Sequence, residues 1–158
     1  MSQSPQIDFV AANWPLLMAA DINTAKHSIR ASALSMLPPV DTKRGPWPEL
    51  WSAYLAAIDR GITVDVWLAA PQSAHPATRA NGNAARYAHA HGIGIHQING
   101  PRLMHAKCCL IDLTTVWIGS GNLTAAACGP NHEFWLRVIS PTLAVKIDGH
   151  LRDLVATS

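Results

Sequence analysis

Charge is scarce in this chain. Asp, Glu, Lys and Arg make up 14% of it, with a formal net charge of +2. That excludes a self-repelling disordered tail, and it neither requires nor excludes a polyanionic partner, because a local basic cleft fits within a near-neutral total. Cysteine is scarce too. Three residues, two of them adjacent at Cys108 and Cys109, suit neither a disulfide framework nor a C-x-x-C metal knuckle and read as reduced core side chains. No apolar run approaches the ~20 residues that span a bilayer, and Met1 to Gln6 carries no basic leader region. A soluble, cytoplasmic protein without a transmembrane segment is expected. Internal repeats and low-complexity tracts are lacking as well.

What the chain does have is apolar material, 49% of 158 residues, enough for one packed domain over 1–158. Asn13 is placed to cap a helix in which Met18, Ile22, Ala25 and Ile29 recur at helical spacing, with Pro15 in its first turn. "SIRASALSM" then reads as a strand and "LPPVDTKRGPWP" as a loop. Leu50, Trp51, Tyr54, Ala57 and Ile58 form the apolar face of a second helix that stops at Gly61. "ITVDVWLAA" alternates as a strand does, "AARYAHAH" reads as a short helix ended by Gly92, and "GIGIHQI" as a third strand. Met104 to Leu113 and Val116 to Gly119 form a hairpin turning near Thr114 and Thr115, and Phe134 to Ile139 is a sixth strand. Ser140 and Pro141 open a last helix with Leu143, Ile147, Leu151 and Leu154 along its buried stripe. Strands alternating with helices predict an α/β sandwich.

The chemistry concentrates between His105 and Phe134. On a strand, His105 and Lys107 share a face while Asp112 has the opposite parity. An imidazole beside an ammonium suits an anion that must be gripped and attacked, and phosphate is the natural candidate. In the following "GSGN", Gly119 and Gly121 let backbone approach a ligand, and Ser120 and Asn122 offer neutral donors for phosphate oxygens. Glu133, beyond a short Ala-rich segment, can accept a proton from one imidazole nitrogen and leave the other nucleophilic. No metal ligand set is required.

These residues resemble a family. H-x-K-x4-D, six residues, then G-S-x-N is the HKD signature of the phospholipase D superfamily, and His105, Lys107, Asp112, Gly119, Ser120 and Asn122 fill every position. Glu133 within "NHEF" matches the acidic residue that follows it in the family. The resemblance implies a phospholipase D-like α/β/α sandwich with a mixed central sheet and a site built from two HKD motifs. This chain has one motif and no second H-x-K, so the resemblance implies a homodimer. It further implies that His105 of one subunit attacks phosphorus to form a phosphohistidine while His105 of the other protonates the leaving oxygen. Lys107 and Asn122 would hold phosphoryl oxygens with help from Ser120, and Glu133 would orient an imidazole, with no metal or other cofactor.

Each residue also has a plainer reading. His105 alone would be a surface histidine and Lys107 a solvated charge, but together in this pattern they favour the site. Asp112 and Gly119 read as structural members of the motif, and Ser120 and Gly121 serve equally well as turn residues. Cys109 shares the parity of His105 and reads as core, as does Trp47, whose alternative is contact with a base or a lipid. Lys43, Arg44, Arg79, Arg86 and Arg102 read as solvated charges near loops. The expected activity is a metal-independent phosphodiesterase, an endonuclease acting on DNA or RNA. The rivals are a phospholipase D-type hydrolase or transferase acting on phospholipids and a non-catalytic nucleic-acid-binding dimer.

Overall fold

The computed structural model describes residues 5–39, 46–71 and 75–156, so Lys43 and Arg44 lie outside the described residues. One seven-stranded mixed sheet runs through them: β1 (Gln6–Val10), β2 (Ser28–Ala33), β3 (Thr63–Ala69), β4 (Gly94–Ile98), β5 (Cys108–Ile111), β6 (Thr115–Gly119) and β7 (Trp135–Ile139), in the order β1-β7-β6-β5-β2-β3-β4. β2, β3 and β4 are parallel, and every other pairing is antiparallel. Helices α1 (Trp14–Asn23), α2 (Trp47–Asp59), α3 (Asn81–Ala90) and the short α4 (Ala125–Cys128) contribute to a core on one face, and α5 (Pro141–Ala156) packs on the other. This is the expected α/β/α sandwich. Among the described residues no helix is long and apolar enough to cross a membrane.

A sheet covered on both faces buries both sides of its central strands. Trp67, on the polar phase of the β3 alternation, is therefore buried as well as Val64, Val66 and Leu68. Gly61 and Gly92 sit at positive φ, 82° and 85°, directly after α2 and α3, where the turn back to the sheet needs a left-handed residue. α3 begins three residues before the expected 84, at Asn81, whose side chain is a tie between strands. Its amide nitrogen donates to the carbonyls of Leu34 and Ala69, both at 2.8 Å, and its oxygen accepts from Met36 N at 3.1 Å. A fully buried carboxamide with these partners pins the ends of β2 and β3 together.

Other expectations need correction. β1 makes seven strands, not six; its five residues alternate Ile7 and Phe9 with Asp8, and Asp8 meets Arg137 of β7 at 3.3 Å. The first helix stops at Asn23, so Ala25 lies in the connection beyond it and Ile29 in β2. Asn13 occupies the N-cap position in the left-handed region and makes no side-chain cap. Pro15 at the second helical position has no N–H to offer it, and Leu16 N and Leu17 N both donate to the Asn13 carbonyl at 3.1 Å. Trp47 starts α2 with its side chain fully buried, which removes the contact with base or lipid considered for it.

Candidate active site

Topology gathers the motif before any side chain is considered. β5 runs antiparallel to β2 and β6, and β7 antiparallel to β6. The start of β5, the end of β6 and the start of β7 therefore meet at one end of the sheet, beside the carboxyl ends of β2 and β3. His105 and Lys107 precede β5, Gly119 and Ser120 close β6, and Glu133 precedes β7. The carboxyl ends of parallel strands are where open α/β sheets bind ligands.

The expected long strand from Met104 is only four residues, Cys108–Ile111. At its first pair the Ser32 hydroxyl takes over from the backbone ladder, donating to Ala106 O and accepting from Cys108 N, both at 3.2 Å. Residues 103–107 are therefore irregular, and the two-residue parity does not carry back through them. Cys109, which shares parity with His105, belongs to the opposite core with Tyr54, whereas Cys108 joins His105 and Lys107 at the cleft. His105 and Lys107 are brought together all the same. Lys107 Nζ lies 3.1 Å from Nδ1 and 3.3 Å from Nε2 of the imidazole and donates to the His105 carbonyl at 2.8 Å. Lys107 is 8% exposed. Burial holds its ammonium below the usual lysine value, and the negative charge of Glu133 acts in the opposite direction.

The GSGN turn owes its glycines to packing. A Cβ on Gly119 would lie 2.4 Å from Phe134 O and 2.5 Å from Trp135 Cδ2, and one on Gly121 would lie 3.0 Å from Trp135 Nε1. The close approach is of the backbone to the buried Trp135 indole. Ser120 N donates to Phe134 O at 3.1 Å and the Ser120 hydroxyl accepts from Phe134 N at 3.2 Å. That hydroxyl also donates to Glu133, whose other carboxylate oxygen accepts from Asn131 Nδ2 at 3.2 Å. Within the chain Glu133 thus bonds Ser120 and Asn131, not His105. Asn122 stands one step further along; its Oδ1 accepts from Ser35 N at 3.3 Å, which leaves its NH2 as the donor.

Asp112 is far from all of these. Five residues along a strand place it roughly 16 Å from Lys107, in the turn at the opposite end of β5. The hairpin turns through Asp112, Leu113 and Thr114, the first two at φ 52°, and Thr115 opens β6 beside it, as expected. The Asp112 carboxylate accepts from the amides of Lys26, His27 and Ser28 at 2.9, 2.8 and 3.0 Å. Partial burial pushes its carboxyl up, but these three amides and the His27 charge outweigh it and hold it below the ordinary carboxylate range.

Beside the motif lies a cleft of about 600 Å³. Its sheet side is His105, Ala106, Lys107, Cys108, Ile118, Gly119 and Ser120, and its helix side is Lys146, Ile147, His150 and Leu151 of α5. Sequence reasoning treated α5 as structural and missed this wall. The signal was present: Lys146 and His150 are four apart, next to Ile147 and Leu151 of the apolar stripe. Arg79, Arg86 and Arg102 do not line the cleft. Among the described residues, no group of three or more His, Cys, Asp or Glu side chains is arranged to hold a metal ion.

The family described as cardiolipin synthase, PLD-like domain matches residues 18–155. Among solved structures, the chain is similar to Nuc of Salmonella typhimurium, a phospholipase D family member, with a TM-score of 0.75, 26% identity and coverage of 95% of this chain and 93% of that one. NucT of Helicobacter pylori has a TM-score of 0.71 at 16% identity and 98% coverage of both chains. Phosphatidylserine synthase of Haemophilus influenzae has a TM-score of 0.68 at 12% identity, over 94% of this chain and 38% of that one. Those two likenesses concern the fold. Comparison with curated proteins gives no match.

Proposed function

Since the chain belongs to the phospholipase D-like domain family, we propose that it is a metal-independent phosphodiesterase that cleaves DNA or RNA as a homodimer. The observation that carries this reading is the contact of Lys107 Nζ with both ring nitrogens of His105, at 3.1 and 3.3 Å, at the mouth of a cleft lined, among the described residues, by no carboxylate. Such a pair holds an anionic phosphodiester against a nucleophile and offsets the charge that builds in displacement. His105 attacks phosphorus, the bond to the leaving oxygen breaks, and that oxygen takes a proton from a second imidazole. Water then attacks the phosphohistidine, returns a proton to the second imidazole and releases the phosphate product. Lys107 and the Asn122 NH2 hold the non-bridging oxygens. Ser120, bonded to Glu133, assists.

One chain offers one such imidazole, so the second comes from another copy, whose Glu133 or this chain's own orients it. Phe9 and Phe134 stack with centroids 6.0 Å apart, and with Leu136 they leave apolar surface exposed beside Ser120 and Glu133. Unpartnered apolar surface at the edge of an incomplete site favours closure by a two-fold partner. The apolar floor of the cleft, Cys108, Ile118 and Leu151, gives some support to a second reading in which a phospholipid is the substrate.

Cleavage of labelled single- and double-stranded DNA and RNA in excess EDTA, native protein against His105→Ala, tests the proposal, with light scattering for the dimer. Cutting that the substitution abolishes is expected. A monomer in solution, or phospholipid turnover with no cleavage of any nucleic acid, would overturn it. Cleavage by both proteins would remove His105 from the mechanism.

A further inference from the structure

The helical wall of the cleft carries groups that the HKD motif does not include. Lys146 and His150 lie one turn apart on α5, both exposed, and line the same cleft as His105 and Lys107. Neither is in an ion pair with a carboxylate among the described residues. Asp148, the acidic residue between them, is buried and meets Arg30 of β2 at 2.5 Å and Arg152, one turn on along α5, at 3.0 Å. Its charge is therefore compensated, and among the described residues no carboxylate lines the cleft. Between the two walls the floor is apolar, with Cys108, Ile118, Ile147 and Leu151.

We propose that Lys146 and His150 form a subsite for a phosphate flanking the scissile one, which makes the preferred substrate a polynucleotide strand. The inference rests on the phosphodiesterase reading above and deepens it. A substrate with a single phosphate is served by His105, Lys107 and Asn122 with the second imidazole, and Lys146 on the facing wall then has nothing to bind. A strand places one phosphate at His105, the next at α5, and the nucleoside between them over the apolar floor. About 600 Å³ is the size of cavity that takes such a group. Lys146 holds the flanking phosphate as a point charge, and His150 adds a ring N–H donor. Neither residue touches the reacting atoms, so their effect falls on substrate binding and selection.

The test compares Lys146→Ala, Lys146→Arg and His150→Ala with the native protein on three substrates: a labelled oligonucleotide, bis(p-nitrophenyl) phosphate and phosphatidylglycerol vesicles. Both positions are exposed on one helix, and circular dichroism establishes that each variant is folded. For Lys146→Ala the KM for the oligonucleotide is expected to rise about tenfold more than that for bis(p-nitrophenyl) phosphate, with kcat on the oligonucleotide near native. The slope of log affinity against log salt should fall by about 1, and Lys146→Arg should restore most of the binding. Equal losses on the two soluble substrates, or no loss on the oligonucleotide, would overturn the subsite. A loss confined to vesicles would overturn it too and reassign the residues to a lipid headgroup. Native protein that hydrolyses bis(p-nitrophenyl) phosphate through His105 but neither binds nor cuts oligonucleotides would sink the subsite and leave a phosphodiesterase. Native protein inactive on all three would sink both.

Discussion

Gly119→Ala and Gly149→Ala make the same chemical change with opposite expected signs. At Gly119 the new methyl would sit 2.4 Å from Phe134 O and 2.5 Å from Trp135 Cδ2, roughly 1 Å inside ordinary contact. Neither neighbour can yield cheaply. Phe134 O accepts from Ser120 N at 3.1 Å, and the Trp135 ring is 1% exposed and packed on Trp14 with centroids 4.9 Å apart. Overpacking against fixed atoms costs about 3 kcal/mol, which at this chain length lowers Tm by roughly 6–12 °C. Gly149 is in the interior of α5 with nothing within 4 Å of its missing Cβ. Alanine there stabilises by about 0.8 kcal/mol through lost unfolded-state freedom, or about 2–3 °C. Urea unfolding followed by tryptophan fluorescence measures both, with an unchanged m-value as the check that the native state is comparable. A Gly119→Ala variant within about 0.5 kcal/mol of native would refute the claim that packing on Trp135 dictates the glycine.

The carboxylate of Asp112 ties three amides, so Asp112→Ala should destabilise by about 2 kcal/mol near neutral pH, measured by the same unfolding experiment. Its carboxyl is held low in the fold, so its stabilisation is present above the unfolded carboxylate value and is lost as pH falls through the folded one. The native protein should therefore lose stability in acid more steeply than the variant, and parallel acid profiles would contradict this. Lys107 is a buried ammonium whose folded value is lowered, so its charge opposes folding below that value and the penalty fades as pH rises toward the unfolded one. Lys107→Met should abolish phosphodiester cleavage while raising stability by about 1 kcal/mol at neutral pH. A destabilised variant would mean that the bond to the His105 carbonyl outweighs the cost of burial.

How far the sequence carried differs from element to element. Periodicity placed α2, β3, β7 and α5 within a few residues: α2 and α5 each turn one apolar stripe to a single core, and β3 and β7 keep a strand's alternation while feeding a core on each face. It missed β1, whose Ile7 and Phe9 are 59% and 69% exposed and so lack a burial pattern. It also ran two elements together at Asn23, where Ala25 and Ile29 continue a helical spacing by coincidence. For the site, the HKD spacing singled out His105 and Lys107, and the structure brings them into contact. The α5 wall was marked only by Lys146 and His150 standing four apart beside the apolar stripe, a spacing that does not say which strand ends they face.

The order of residue types between His105 and Glu133 by itself pointed to the family, because a spaced signature survives without coordinates. Tertiary structure decided what that signature sits on. Ser32 ends the β5 ladder, and strand parity propagates only through a continuous ladder, so Cys108 and not Cys109 reaches the cleft. Trp135 packs under the GSGN turn, Asp112 is carried to the far end of β5, and α5 closes the opposite wall. Each of these is a contact between segments far apart in the chain, set by which side chains fill the space between them.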